Sequence, residues 1–254
     1  MKKFLFLILL LTSFDVVKSQ NVTDLNRELD SLVNSIKISD VLKARKNFYG
    51  FVMQLERKTA KIALKYSGLK DGMEILYNAK NAVSKDTLQA AVNFAPDSVK
   101  NSLCAKALQK YILSEQIQKG GKLKTFDVYD SHNQRFDWST TEKKNLLLVY
   151  DGIDCMGEKG RKELSKLYDK TDRKKLEIIV FIKSKNFEDF RQQIAKYDGR
   201  LTYISDFNGE YDDFQTFYPI LGTPSFYYFD KEQVLQNMFF RDFKIISNEN
   251  SLKL

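Results

Sequence analysis

The sequence predicts a two-part protein of the α/β class, with an all-helical first half followed by a domain built on a central mixed sheet flanked by helices. Three observations carry this. From Val22 to Lys119 apolar residues recur at helical spacings, Val41, Ala44, Phe48, Phe51, Val52 and Leu55 being the clearest run. Past Gly120-Gly121 the rhythm changes to short strands alternating with helices. Two runs, Asn145–Tyr150 (NLLLVY) and Leu176–Ile182 (LEIIVFI), are almost wholly apolar, as strands covered on both faces must be. A chain of 254 residues with 43% hydrophobic content has enough apolar surface for such cores.

In chain order, residues 1–20 read as a signal peptide. Lys2 and Lys3 supply the charged start, Phe4 to Leu11 the apolar run, and Val17-Lys18-Ser19 the small-residue exit. The apolar run is broken by Ser13 and Asp15, short of the roughly 20 apolar residues a membrane-spanning helix needs. The expected location is therefore exported, periplasmic or secreted, with no stable membrane span once the leader is removed. Residues 21–119 form the helical region, with helices expected over Gly72–Asn81, Ser84–Asn93 and Ser98–Gln118, the last opening just after Pro96-Asp97. Gly120-Gly121 closes it and marks the domain boundary, leaving residues 120–254 as the second domain.

Within the second domain Lys124–Tyr129 and Gln134–Phe136 read as a hairpin around Ser131-His132-Asn133. The Asn145–Tyr150 strand leads into a loop holding Cys155 and a helix to about Lys170. The Leu176–Ile182 strand comes next, then a helix over Phe187–Tyr197, a strand over Leu201–Ile204, and a helix over Tyr211–Phe217. Strands over Ser225–Phe229 and Val234–Phe240 finish the sheet, and a last turn of helix is expected in the tail.

An ordered set emerges: a strand, a tight loop with cysteine, a helix opening just after it, and later a Gly-Thr-Pro leading into a strand. These stretches resemble the thioredoxin superfamily, in particular the exported TlpA/ResA-like thiol-disulfide oxidoreductases related to the AhpC/TSA peroxiredoxins. The resemblance runs through GGKLKTFDVYDSHNQRF, NLLLVYDGIDCMGEKGRKELSKLYDK, LEIIVFI and YISDFNGEYDDFQTFYPILGTPSFYYFD, covering most of Gly120 to Asp230. It implies a thioredoxin-like fold, Cys155 as the attacking thiol, and a cis Thr223-Pro224 bond beside it where a bound peptide is held. No cofactor is implied, and the partners implied are protein or peptide thiols and disulfides.

The physics of the residues agrees. Free backbone N–H groups and the dipole at a helix N-terminus stabilise a thiolate, and Lys159 and Arg161 reinforce this while Asp151, Asp154 and Glu158 oppose it. One departure from the family pattern stands out. The resolving cysteine of C-x-x-C is replaced by Glu158 in Cys155-Met156-Gly157-Glu158, so this motif cannot form the internal disulfide and a complete cycle requires a thiol from outside it. Asp154 stands where the family often has tryptophan, and with only twenty-odd residues after the proline strand the family's terminal helix is expected to be shortened or absent.

Three functions follow: a single-cysteine oxidoreductase, a non-catalytic thioredoxin-fold module that binds peptides or proteins, and a one-cysteine peroxidase. Cys155-x-x-Glu158 suits the third, but Gly152 stands where a peroxidase wants threonine or serine.

Other classes are excluded. Removing the leader lowers the charge from +8 to about +6, spread over pairs such as Lys143-Lys144 and Lys174-Lys175, with no nucleic-acid motif. One histidine, His132, in a polar turn, and two separated cysteines argue against a metal site and against a cysteine-histidine hydrolase. Cys104, spaced with Ala107, Leu108, Tyr111 and Ile112, falls on the apolar face of a helix and reads as a core residue, the alternative being a resolving partner for Cys155. Trp138 and Phe226–Phe229 read as core as well.

Overall fold

The computed structural model describes residues 21–37, 39–40, 48–151, 154–220 and 222–240, with the backbone alone at Phe48, Tyr49, Cys155 and Phe240. The signal-peptide reading and the expected helix in the tail lie outside the described residues. The chain divides into two compact units, Met1–Leu113 and Ser114–Leu254.

In the first unit, α1 (Val22–Asn34) opens on Asn21, whose side chain accepts from the Asp24 N–H. The long α2 (Phe48–Lys65) is joined to it by Glu28, which accepts from Lys65 Nζ at 2.8 Å and from the Tyr66 hydroxyl at 2.9 Å. Then α3 (Lys70–Asn78) follows so tightly that a Cβ at Gly72 would collide with the Tyr66 carbonyl oxygen. The helix α4 (Lys85–Phe94) is capped by Ser84, which accepts from Thr87 N at 3.3 Å. The core is apolar and small-residue rich, with Ala60, Ala63, Met73, Leu76, Leu88 and Leu108 buried.

The single helix expected over Ser98–Gln118 is broken into α5 (Asp97–Lys100) and α6 (Leu103–Leu113). Ser102 interrupts it by taking the Ala105 N–H at 3.4 Å, the local side-chain competition that favours a helix start over a helix interior. The helix also stops early. Ile117 donates its N–H to Phe217 O at 2.8 Å and Gln116 Nε2 donates to Gln215 O at 3.1 Å, so these residues belong to the second unit.

The second unit is a six-stranded mixed sheet in the order β1-β4-β3-β2-β5-β6. Its strands are β1 (Tyr129–Asp130), β2 (Asn145–Tyr150), β3 (Leu176–Phe181), β4 (Thr202–Ser205), β5 (Ser225–Phe229) and β6 (Leu235–Phe240). The pairs β2/β3 and β3/β4 are parallel, whereas β1/β4, β2/β5 and β5/β6 are antiparallel. Two helices, α7 (Gly157–Lys170) and α8 (Phe187–Ile194), make the parallel crossovers.

Alternation along the strands builds two cores. Leu147, Val149, Ile178 and Val180 face Leu164 and Leu167 of α7 and Phe190 of α8. Leu146, Leu148, Tyr150, Ile179 and Phe181 face the other way, onto Val128, Phe214, Tyr218 and Tyr227. Both faces being covered is why NLLLVY and LEIIVF are almost wholly apolar, with Asn145 and Glu177 confined to the half-buried strand starts. This is the thioredoxin-like arrangement: a central mixed sheet flanked by helices and preceded by a helical region.

Two local expectations are corrected. Lys124–Asp127 is not a strand, because the Lys124 N–H and carbonyl bond the Tyr218 hydroxyl at 3.1 and 2.6 Å instead of a neighbouring strand. Only Tyr129–Asp130 pairs, with β4 on one side and through a single bridge to Arg135 on the other. The helix expected over Tyr211–Phe217 is a 3₁₀ turn at Gly209–Tyr211 and a short α9 (Phe214–Phe217), with Asp212 extended between them. Among the described residues, no helix is long and apolar enough to cross a membrane.

Candidate active site

Cys155 lies in a 3₁₀ turn, Asp154–Met156, after the end of β2 and directly before α7. Met156 fixes that turn: it is 5% exposed and packs in the core with Leu147, Val149, Phe226 and Phe239. At Gly157 the backbone turns left-handed, with φ +62°, and nothing lies within 4 Å of where a Cβ would stand. Glycine is needed there for its backbone freedom and not for space. Met156, the N-cap residue of α7, makes no side-chain capping bond to the first-turn N–H groups.

The charges expected around Cys155 are arranged in pairs. Glu158, at the position of the missing second cysteine, is exposed and held by Lys162 at 2.6 Å, one helical turn on. Asp154 is bridged by Lys196 at 3.4 Å. It also bonds the Tyr197 hydroxyl, whose pKa is pushed well above the phenol range, first by burial and then by that carboxylate. Asp151 is half-buried with φ +42°, and its N–H donates to Phe181 O at 2.8 Å. Lys159 is exposed and Arg161 half-buried on the first turns of α7.

The Thr223–Pro224 peptide bond is cis, and Pro224 is buried. Register puts it at the same end of the sheet as the cysteine turn. Tyr150, the last residue of β2, is paired with Ser225, the first of β5, so the Pro224 segment arrives where the chain departs toward Cys155. The topology thus brings Cys155, Glu158, Thr223 and Pro224 to one sheet end.

Cys104 is elsewhere, in the first unit. It is free, 1% exposed, and 3.1 Å from Ser102 Oγ. His132 is exposed in the turn after β1, where its N–H donates to Asp130 Oδ1 at 2.8 Å. Trp138 is half-buried against Phe136 and Phe126, with its Nε1–H on Phe126 O at 3.0 Å. Among the described residues, no group of three or more His, Cys, Asp or Glu side chains is arranged to hold a metal ion.

Sequence reasoning missed two features. One is a groove of about 410 Å³ along α7, floored by Leu164, Leu201 and Tyr203 and rimmed by Arg161 and Tyr197. The other is a pair of buried acids, Asp206 and Asp212, behind the C-terminal ends of β2 and β4. Asp212 is 0% exposed and accepts from the Tyr150 hydroxyl at 2.8 Å, from Gln215 Nε2 at 2.7 Å and from Gln215 N at 2.9 Å. Burial pushes its pKa up to about 7.

No protein-family model matches the chain. No curated protein matches it either. Solved structures do. The thioredoxin domain of a thiol-disulfide oxidoreductase from Bacteroides vulgatus is 16% identical, with a TM-score of 0.44, over 54% of this chain and 94% of that one. A thiol-disulfide oxidoreductase from Bacteroides fragilis is 15% identical, with a TM-score of 0.41, over 48% of this chain and 89% of its own. A thiol peroxidase from Chromobacterium violaceum is 18% identical, with a TM-score of 0.43, over 55% and 88%.

Proposed function

We propose that the chain is an exported thiol-disulfide oxidoreductase-like protein acting through the single cysteine Cys155. The observation that carries this is the convergence at one sheet end of Cys155, directly before the N-terminus of α7, with the cis Thr223–Pro224 segment. In the proposed step the Cys155 thiolate attacks one sulfur of a protein or peptide disulfide. The S–S bond breaks, the other sulfur leaves as a thiolate, and a mixed disulfide with Cys155 remains. Thr223 and Pro224 hold the peptide. An external thiolate then attacks the mixed disulfide, becomes bonded to the substrate sulfur, and returns Cys155 as a thiolate, a task that Glu158 cannot perform.

We assign residues 1–20 to a signal peptide and, with the boundary moved from Gly120 to Leu113/Ser114, residues 21–113 to the helical region and residues 114–254 to the thioredoxin-like domain, with a periplasmic or secreted location. One observation favours a second reading, a non-catalytic peptide-binding module. Glu158 is tied to Lys162 and leaves the site without a second thiol.

The test is the Cys155 thiol pKa, read from pH-dependent alkylation of Cys104→Ala protein. A value well below the free-cysteine value of about 8.5 supports thiolate chemistry, and a normal or raised one favours the binding module. Cys155→Ser should abolish trapping of a mixed disulfide while leaving any non-covalent peptide binding intact.

A further inference from the structure

The groove along α7 leads away from the cysteine turn. Its α7 wall carries Glu158, Arg161, Ser165 and Asp169, spaced three and four apart and so stacked along one side of the helix over about 16 Å. The facing wall is the connection from α8 to β4, where the rings of Tyr197 and Tyr203 stack at 6.1 Å and Leu201 is buried. Two ties hold the walls to each other. Ser165 Oγ donates to Asp198 Oδ2 at 3.0 Å, and Arg200, on the connection, bonds Asp169 of α7 as well as Asp198. A third bond, from the Tyr203 hydroxyl to Asp198 O at 2.9 Å, shapes the connection itself. The groove is therefore formed before anything enters it. Arg200 bridges it at the Asp169 end, and the opposite end reaches the cysteine turn. There Glu158 lies three residues after Cys155, and Lys196, on the facing wall, bridges Asp154 at 3.4 Å.

The charged side chains around the groove are paired, with one exception. Glu158 is held by Lys162 at 2.6 Å, Lys166 by Glu163 at 3.0 Å, Lys196 by Asp154, and Asp169 and Asp198 by Arg200. Arg161 is half-buried at the rim and, among the described residues, has no carboxylate within ion-pair distance. Its charge reaches the Tyr197 hydroxyl on the facing wall. A guanidinium fork with no carboxylate on it, set beside an apolar floor of Leu164, Leu201 and Tyr203, suits a carboxylate carried next to an apolar side chain.

We propose that this groove is a second subsite for the disulfide-bearing partner, taking an apolar side chain on its floor and a carboxylate on Arg161, both from the stretch of the partner's chain that adjoins its reactive cysteine. This subsite rests on the redox reading of Cys155 and adds the class of partner it takes. Distances along α7 set the spacing. Arg161 stands six residues beyond Cys155, about 9 Å along a helix, which an extended peptide covers in about three residues. Leu164 lies a further turn on, about 4.5 Å, or roughly one more extended residue. The matching partner carries a carboxylate about three residues from its cysteine and an apolar residue just beyond. A partner with lysine in place of that carboxylate is disfavoured by Arg161.

The test uses full-chain Cys104→Ala protein and short peptides whose single cysteine is held as a mixed disulfide with thionitrobenzoate. The Cys155 thiolate attacks the peptide sulfur and bonds to it, the bond to thionitrobenzoate breaks, and thionitrobenzoate leaves as a coloured thiolate whose release times the capture. The peptides Cys-Gly-Gly-Asp-Leu and Leu-Asp-Gly-Gly-Cys cover both chain directions. Each is compared with a version carrying Asn for Asp and a version carrying Gly for Leu. In at least one direction the parent peptide should be captured about fivefold faster than either version. Arg161→Met should abolish the preference for Asp over Asn and keep that for Leu over Gly. Lys170→Met, which removes a cation from the same helix outside the groove, should leave both preferences in place. Because Arg161 also bears on the thiolate, the quantity read is the ratio between peptides, in which the intrinsic reactivity of Cys155 cancels. Equal rates for all peptides, an Asp preference that survives Arg161→Met, or one that falls equally in Lys170→Met would overturn the subsite while leaving capture at Cys155 standing. If no peptide is captured, the redox reading falls and the subsite with it.

Discussion

Replacing Asp212 by asparagine should change how the stability of the second unit depends on pH more than its stability at any one low pH. The ordinary aspartate value of 3.8 is raised to about 7 because the side chain is 0% exposed. A folded-state value above the unfolded one means that the native protein binds more protons than the unfolded chain across that window. Stability is therefore fully present below pH 3.8 and falls as pH rises, levelling off above about 7. At about 1.36 kcal/mol per pH unit, the window is worth roughly 4 kcal/mol. Asparagine keeps the shape and carries no charge. The variant should match the wild type within about 1 kcal/mol at pH 4 and exceed it by up to about 4 kcal/mol at pH 8. Urea unfolding of the full chain at three pH values measures this. Trp138, the only tryptophan, lies in the second unit, so its fluorescence follows the unfolding of that unit. Two stability curves separated by a constant offset from pH 4 to 8 would refute the reasoning.

Two further outcomes follow from the geometry. Gly157→Ala should cost about 1 kcal/mol, because a Cβ must enter the left-handed region at φ +62° although it touches nothing, again measured by urea unfolding at Trp138. Arg200, bonded to Asp198, holds that carboxyl down at about 2, so its contribution is present at neutral pH and lost as pH falls toward that value. Arg200→Ala should move the Asp198 titration, followed by carboxyl NMR, up toward 3.8.

Much of the second unit could be read from residues alone. The strands NLLLVY and LEIIVF announce burial on both faces, and Cys155 and Thr223-Pro224 are spaced around them so that pairing Tyr150 with Ser225 brings both to one end. What could not be read is decided by partners far along the chain. Nothing local distinguishes Asp212 from Asp213, yet the first is buried and accepts from a tyrosine 62 residues earlier. Lys124 looked extended and paired because its neighbours alternate, but its backbone is used by Tyr218, 94 residues later. The break at Ser102 was different in kind. A serine able to start a helix stood there, and the apolar periodicity on both sides of it masked the signal.

The position of β2 has a consequence for how the second unit is assembled. Its neighbour β3 is close in sequence, but its other neighbour, β5, comes only after α7, β3, α8, β4 and α9 have been made. Until then NLLLVY presents an open apolar edge, with no charge or proline to discourage pairing with another chain. In a nascent or truncated chain ending before Phe229 that edge stays unpaired, and closure of the sheet by β5 is a late and long-range event.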